Sequence, residues 1–313
     1  VCRSVVFVIA GPTASGKSAL ALDIARAFDG TVINADSMQV YRDLAVLTAR
    51  PGQGDCRSAP HLLYGVLGAE ERCSAARWRA LAMEAIDATL GQGRLPVVAG
   101  GTGLYLKALI EGLSPMPDIP EAVRAGVRAR LAAEGAVALH AELALADAES
   151  AARIPPTDSQ RIARALEVVE ATGTPLSRWQ TAAPEGPPEG LVFRVIVLLP
   201  PRDALYATCD RRFGHMLKQG AIEEVSALLA RGLDPGLPAM KALGVADIAR
   251  YLRGDRTLEE AAAQARTLTR RYAKRQLTWL RHQIVADLVL EAQYSESLRP
   301  RVFAFVRENL LTG

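Results

Sequence analysis

The sequence predicts an α/β protein in which a parallel sheet with helices on both faces is interrupted by an all-helical insertion. Three observations predict it. Short β-branched runs alternate with helical stretches over the first third of the chain. The first run breaks at a glycine-rich turn that opens a helix, and the strand signal vanishes between residues 115 and 188. Strands of a parallel sheet are covered on both faces and read as unbroken apolar runs, with ligands gathering beyond their C-terminal ends.

Taken in order, Val5-Val6-Phe7-Val8-Ile9-Ala10 is such a run and stops at Gly11. A helical stretch follows to Phe28, then a second strand, Thr31-Val32-Ile33-Asn34-Ala35. Residues 62–67 read as a further strand, residues 75–90 as a helix, and residues 95–99 as a strand ending in Gly100-Gly101. Thr102 to Glu111 is helical, with Leu104, Ala108 and Leu109 as its core stripe. Ser114-Pro115-Met116-Pro117-Asp118-Ile119-Pro120 is a stiff linker, because each proline fixes its own φ. Residues 121–172 are helices rich in Ala, Arg, Glu and Leu; Pro184-Glu185-Gly186-Pro187-Pro188 is a second linker, and residues 191–199 return to strand. The rest is mostly helical, with a last strand expected at residues 284–290. The expected domains are 1–114, 115–188 and 189–313, the first and last forming one core around the insertion.

With 50% hydrophobic and 23% charged residues in 313, the composition suits a globular enzyme. A net charge of only +3 excludes a uniformly basic binder and an acidic disordered tail. By segment, residues 1–120 hold 11 basic and 11 acidic residues, residues 121–190 hold 7 and 10, and residues 191–313 hold 19 and 13, so the last third is +6. Cys2, Cys56, Cys73 and Cys209 form no C-x-x-C pair and are expected to be reduced thiols of a cytoplasmic protein. No apolar run nears the ~18 residues of a membrane span, and Val1-Cys2-Arg3 shows no signal-peptide pattern. His61, His140, His215 and His282 are scattered without metal-ligand spacing.

Gly11-Pro12-Thr13-Ala14-Ser15-Gly16-Lys17-Ser18 fits the phosphate loop G-x-x-x-x-G-K-[ST], and it lies between a strand and a helix, as the mechanism requires. Backbone N–H groups and the helix N-terminus cradle phosphate oxygens, Lys17 adds charge, and Ser18 is the Mg²⁺ ligand. This nucleotide-binding signature establishes a polyphosphate or pyrophosphate site without establishing ATP hydrolysis. The strand at residues 95–99 ends in glycines where many NTPases place a Mg²⁺-binding Asp, and no Asn-Lys-x-Asp motif occurs, which argues against motor ATPases and GTPases. Asp36, at the end of the second strand, can take a proton from a nucleophile attacking a centre attached to the bound phosphates, or can cap a helix start. Residues 264–283 contain Arg266, Arg270, Arg271, Lys274, Arg275 and Arg281 and no acid. At about 100° per residue these fall on one half of a helix, with Leu268, Tyr272, Trp279 and Leu280 on the other and Leu277 among the charges. A cationic stripe of this kind suits phosphodiesters, or is a solvated face.

These features, with residues 36–41, 96–106, 158–168, 212–216 and 272–280, resemble the bacterial tRNA dimethylallyltransferases, also called tRNA isopentenyltransferases, of the IPP transferase family. No C-terminal zinc-finger extension appears in these residues, so the bacterial branch is expected over the eukaryotic one. The resemblance implies a P-loop NTPase-like parallel sheet flanked by helices, with residues 115–188 clasping the anticodon stem-loop. It further implies transfer of a dimethylallyl group from dimethylallyl pyrophosphate to N6 of the adenosine 3′-adjacent to the anticodon (position 37), in tRNAs reading codons that begin with U. Asp36 is then the general base, while Thr13, Lys17, Arg212 and Mg²⁺ on Ser18 stabilise the leaving pyrophosphate held by residues 11–18. Expected tRNA contacts are Asp36, Ser37, Met38, Gln39, Thr102, Arg124, Gln160, Arg161, Ile162, Ala163, Arg164, Lys241, Ala242, Leu243, Gly244, Val245, Ala246, Arg270, Lys274 and Arg275. The chain departs from the family pattern at Val245 and Ala246, where Tyr and Arg are usual, and at Leu47 and Arg50, where Gly and Lys are usual; His61-Leu62-Leu63-Tyr64 lacks an Asp often found there. A monomer is expected, since one chain would hold a complete site.

Two other enzymes would use the same loop and carboxylate: a P-loop small-molecule kinase, and an adenylate isopentenyltransferase acting on free AMP or ATP. Neither needs the acid-free helix or the helical insertion. A non-catalytic RNA-binding protein would need neither the loop nor the carboxylate beside it.

Overall fold

The computed structural model describes residues 3–181, 186 and 188–311. The chain divides into two compact units, Val1–Ile110 with Pro188–Gly313, and Glu111–Pro187.

The first unit is built on a six-stranded sheet in the order β3-β2-β4-β1-β5-β6, every pair parallel. The strands are β1 (Ser4–Ala10), β2 (Gly30–Asn34), β3 (His61–Leu62), β4 (Leu95–Gly100), β5 (Leu191–Leu198) and β6 (Leu288–Leu290). Its helices before the second unit are α1 (Lys17–Ala27), α2 (Gln53–Ser58), α3 (Ala75–Gly91) and α4 (Gly103–Glu111). The period of two splits β1 between two cores. Val6 and Val8 face one, with Trp78 of α3 and Leu106 of α4; Phe7 and Ile9 face the other, with Leu20 and Ile24 of α1. That explains why the run carries no polar residue.

The second unit holds α5 (Glu121–Ala146), α6 (Ala148–Arg153), α7 (Ser159–Thr172) and α8 (Leu176–Thr181) around Val127, Leu139, Leu143, Ile162 and Leu166. Gly135, at φ +83°, breaks α5 into two segments. Asp147 joins α6 to α8 by accepting the N–H groups of Ser150 and Ser177. Burial would push its carboxyl up, but the hydrogen bonds from the two serines hold it below the usual range. The second proline-rich linker lies mostly outside the described residues.

Back in the first unit, α9 (Arg202–Lys218), α10 (Ala221–Ala230), α11 (Val245–Leu252), α12 (Leu258–Gln283) and α13 (Arg299–Leu311) complete the fold. Val225 of α10, Ile248 of α11 and Leu280 of α12 join the core of Val6, while Val302 and Val306 of α13 join that of Phe7.

Several sequence expectations are corrected. The strand expected at 62–67 shrinks to His61–Leu62, because Leu63 and Gly65 take positive φ and only Leu67 returns, as a bridge to Tyr41. The last strand shrinks to Leu288–Leu290, with Val285 at 93% exposure. Leu104 is 58% exposed and is no part of the core that takes Leu109. The phase of α12 also differs. Its buried edge is Ala262, Ala265, Thr269, Ala273, Gln276, Leu277 and Leu280, so Leu277 packs inward, and Tyr272 and Trp279 flank that edge. Cys56, Cys73 and Cys209 are free thiols; Cys2 lies outside the described residues. No helix among the described residues is long and apolar enough to cross a membrane.

Candidate active site

The site begins where β1 stops. Gly11 leaves the sheet with no room for a side chain, since a Cβ would lie 2.6 Å from Ser15 Oγ. Ser15 N–H donates to Pro12 O, closing the turn, and Gly16 at φ +88° opens α1 with no side-chain cap. An uncapped N-terminus presents unpaired N–H groups and the positive end of the helix dipole. Thr13 N–H is already committed to Gln276 Oε1 at 2.8 Å, and Pro12 has none, so the anion cradle falls to Ala14 and the turn at Gly16, Lys17 and Ser18.

Lys17 is buried, with Nζ donating to Pro12 O at 3.3 Å. Burial pulls its pKa down to about 8; the Asp36 charge opposes this and the Arg212 charge adds to it. Arg212, on α9, donates to the Thr13 hydroxyl. Burial also draws this guanidinium down, against the attraction of Cys209 and Asp36. A buried and a partly buried cation beside one loop are a demand for negative charge.

The loop is held from behind as well. Tyr294 N–H donates to Ser15 O and Gln293 Nε2 to Ala14 O. The Tyr294 hydroxyl and Arg299 both donate to Asp23 of α1.

Asp36 lies two residues past β2. Its backbone N–H donates to Asn34 Oδ1, and its own Oδ1 accepts Met38 N–H at 2.9 Å. No helix follows, so Asp36 caps a turn and not a helix start, and this bond orients the carboxylate. Ser37 N–H donates to Thr102 Oγ1. Gly100 cannot carry a side chain, because a Cβ would sit 2.1 Å from Ala35 O.

These groups meet around a cavity of about 290 Å³. Thr13, Asp36, Ser37, Arg212, Tyr272 and Arg275 form its polar wall, and Met38, Leu47, Phe213, Met216, Ala242 and Leu243 its apolar one. Burial raises the Tyr272 phenol and the Asp36 charge raises it further, which keeps it protonated. Glu224 of α10 shapes the apolar wall by accepting the N–H groups of Ala45, Val46 and Leu47 at 2.6, 2.7 and 2.8 Å.

Residues 4–62 match a family model described as isopentenyl transferase, and residues 39–283 match one described as IPP transferase. The chain is 59% identical over 281 residues to the tRNA dimethylallyltransferase of Rhodospirillum centenum, covering 90% of each. It is 54% identical over 305 residues to that of Parvibaculum lavamentivorans, covering 97% of this chain and 96% of the relative. The chain belongs to the IPP transferase family. Among solved structures, the tRNA isopentenylpyrophosphate transferase of Bacillus halodurans aligns over 99% of this chain and 97% of its own, at TM-score 0.70 and 32% identity. A eukaryotic dimethylallyltransferase described as acting on tRNA aligns over 99% of this chain and 80% of its own, at TM-score 0.80 and 25% identity.

Within this IPP transferase fold, the sequence-predicted residues fall in several places. Thr13, Asp36, Ser37, Met38, Arg212, Lys241, Ala242, Leu243 and Arg275 line one cavity. Lys274 and Arg275 are exposed on α12, whereas Arg270 pairs with Asp210 of α9 at 2.7 Å and is less available. Gly244 and Val245 are buried against Leu47 and the α9 core. In the second unit, Gln160 and Arg161 are exposed, Arg164 pairs with Glu167, and Arg124 pairs with Asp118. Ile162 is fully buried and Ala163 nearly so; both serve the core of that unit and have no side-chain surface to offer RNA. Ser18 is exposed and Gln39 donates to Thr48 O and Ala49 O. Sequence reasoning missed Gln276, Glu224 and Gln293. Only Gln276 left a signal, as an uncharged polar residue between cations and the apolar edge of a helix.

Proposed function

We propose that this chain transfers a dimethylallyl group from dimethylallyl pyrophosphate to N6 of adenosine 37 in tRNAs reading UNN codons, releasing pyrophosphate. The observation that carries it is the cavity that sets the Asp36 carboxylate against Thr13 and Arg212 at the mouth of the phosphate loop. The names of the relatives support the same reaction class.

An adenine N6 amine is a weak nucleophile because its lone pair is delocalised into the ring. Asp36, held by Met38 N–H through Oδ1, takes the N6 proton as nitrogen bonds to the allylic C1 and the C1–O bond to pyrophosphate breaks. Negative charge grows on the leaving group, where the α1 N-terminus, Lys17, Arg212 and Thr13 receive it. A base stacked in the anticodon loop cannot reach this cavity, so it is flipped out. Met38, Leu47, Phe213 and Met216 exclude water that would otherwise capture the allyl group.

Mg²⁺ takes few protein ligands and keeps phosphates and waters. The exposed Ser18 hydroxyl on the first turn of α1 is a donor of that kind. Among the described residues no group of three or more His, Cys, Asp or Glu is placed to hold a metal unaided. The residues therefore fit an ion carried by the pyrophosphate, which when bound neutralises charge on its oxygens. Residues 115–188 are assigned to the anticodon stem-loop with Gln160, Arg161, Arg164 and Arg124 as contacts, and Lys274 and Arg275 to its phosphates. A cytoplasmic, monomeric enzyme belongs to the same proposal, and the free thiols of Cys56, Cys73 and Cys209 suit a reducing compartment.

Incubation with Mg²⁺, labelled dimethylallyl pyrophosphate and either tRNA, AMP or ATP tests this. Label is expected in tRNA; label in AMP, or consumption of ATP alone, would overturn it.

A further inference from the structure

Gln276 lies on α12, one residue from the cavity-lining Arg275, yet its side chain points away from the cations and is buried. Both ends of its amide are used. Oε1 accepts Thr13 N–H at 2.8 Å, and Nε2 donates to Gly101 O at 2.7 Å. These partners stand 263 and 175 positions away, one in the phosphate loop and one just past β4. Gly101 makes room for the amide, since a Cβ there would lie 2.5 Å from Nε2 and 2.8 Å from Gly11 O.

We propose that Gln276 is a positioning residue for the reaction. It holds the Thr13 peptide so that the Thr13 hydroxyl meets Arg212, and it makes the seating of α12 and the shape of the phosphate loop a single variable. The consequences for Thr13 follow from hydrogen-bond accounting. Its N–H is withdrawn from the anion cradle, and its hydroxyl accepts from Arg212, so the residue has one orientation available. Without the amide, Thr13 N–H and Gly101 O are left unpaired in a buried place, and the loop must move to satisfy them. The exposed edge of the same helix carries Arg271, Lys274 and Arg275, so a ligand that shifts α12 acts on the donor loop through Gln276.

The turnover arm of the test rests on the proposed prenyl transfer; the binding arm, with inorganic pyrophosphate and Mg²⁺, does not. Wild type, Gln276→Met, Gln276→Glu, Thr13→Val and the Gln276→Met/Thr13→Val double variant are compared by calorimetric titration, by kcat, and by tRNA affinity. Gln276→Met is expected to weaken pyrophosphate binding about tenfold and lower kcat by at least about tenfold, with tRNA affinity within about twofold of wild type. Gln276→Glu keeps an acceptor for Thr13 N–H and falls between. Because Gln276 acts through Thr13, the double variant is expected within about twofold of the weaker single variant. A folded Gln276→Met chain with wild-type pyrophosphate affinity overturns the assignment, as do losses that multiply in the double variant or fall on tRNA affinity alone. If Gln276→Met does not fold, Gln276→Glu is judged by the same comparisons. A wild type that prenylates no tRNA, beside variants that still lose pyrophosphate affinity, rejects the proposed function and leaves this assignment standing.

Discussion

At the scale of residues, the site divides into groups that act on reacting atoms and groups that hold them still. Asp36 belongs to the first. Asp36→Ala is expected to lower kcat by about 10²–10⁴, the usual yield of general-base catalysis, with tRNA affinity retained; unchanged turnover would remove Asp36 from the mechanism. Lys17 gives a pH prediction. Its ammonium is what an anion meets, and burial brings its pKa to about 8, so pyrophosphate affinity is expected to fall as pH rises through about 8. A titration that is flat across that range would show that the charge is not used. The stability sign runs the other way. The unfolded chain holds this proton up to about 10.5, so between about 8 and 10.5 unfolding takes up protons. The destabilisation that the buried charge brings is full below about 8 and is relieved as pH rises across the window. Asp36 and the loop were legible in the sequence because each sits within a few residues of a strand end. Gln276 and Glu224 were not, since their partners lie 263 and about 178 positions away.

At the scale of elements, local pattern and packing agree for long elements and part for short ones. The runs of β1, β2, β4 and β5 are covered on both faces, so composition alone marks them. The short β3 and β6 depend on where neighbouring strands end, and their apolar flanks turn away instead. For α12 the charges suggested one helix phase and packing selected another, because Gln276 and Leu277 both fit inward. The α10 helix acts on the site through Glu224, which gathers three consecutive N–H groups of the loop carrying Leu47 and Thr48. Glu224→Ala is expected to cost about 2–4 kcal/mol in denaturant unfolding, since hydrogen bonds to a charged group contribute about 1.5–3 kcal/mol each and water recovers part of them. A change below about 0.5 kcal/mol would mean that the loop holds its shape without the carboxylate.

At the scale of the whole molecule, a net charge of +3 conceals a +6 C-terminal third. Arg271, Lys274, Arg275 and Arg281 are exposed along α12, so two to four phosphate contacts are expected to give a slope of about −1.5 to −3 in log affinity for tRNA against log salt. A slope near zero would place the RNA elsewhere. By itself the sequence determined the α/β class, the helical insertion, the phosphate loop, the carboxylate beside it and the family resemblance. Each rests on residues close together in the chain, where strand, turn and helix propensities act locally. Only the tertiary structure decided that Thr13 is gripped by Gln276 and Arg212, that Ile162 is core, and that Arg270 is spent on Asp210. Those outcomes turn on which buried polar atom finds which partner and on the phase each helix adopts against the sheet. Chain spacing does not encode that phase, because the requirement that every buried donor and acceptor be paired is met only once the elements have packed.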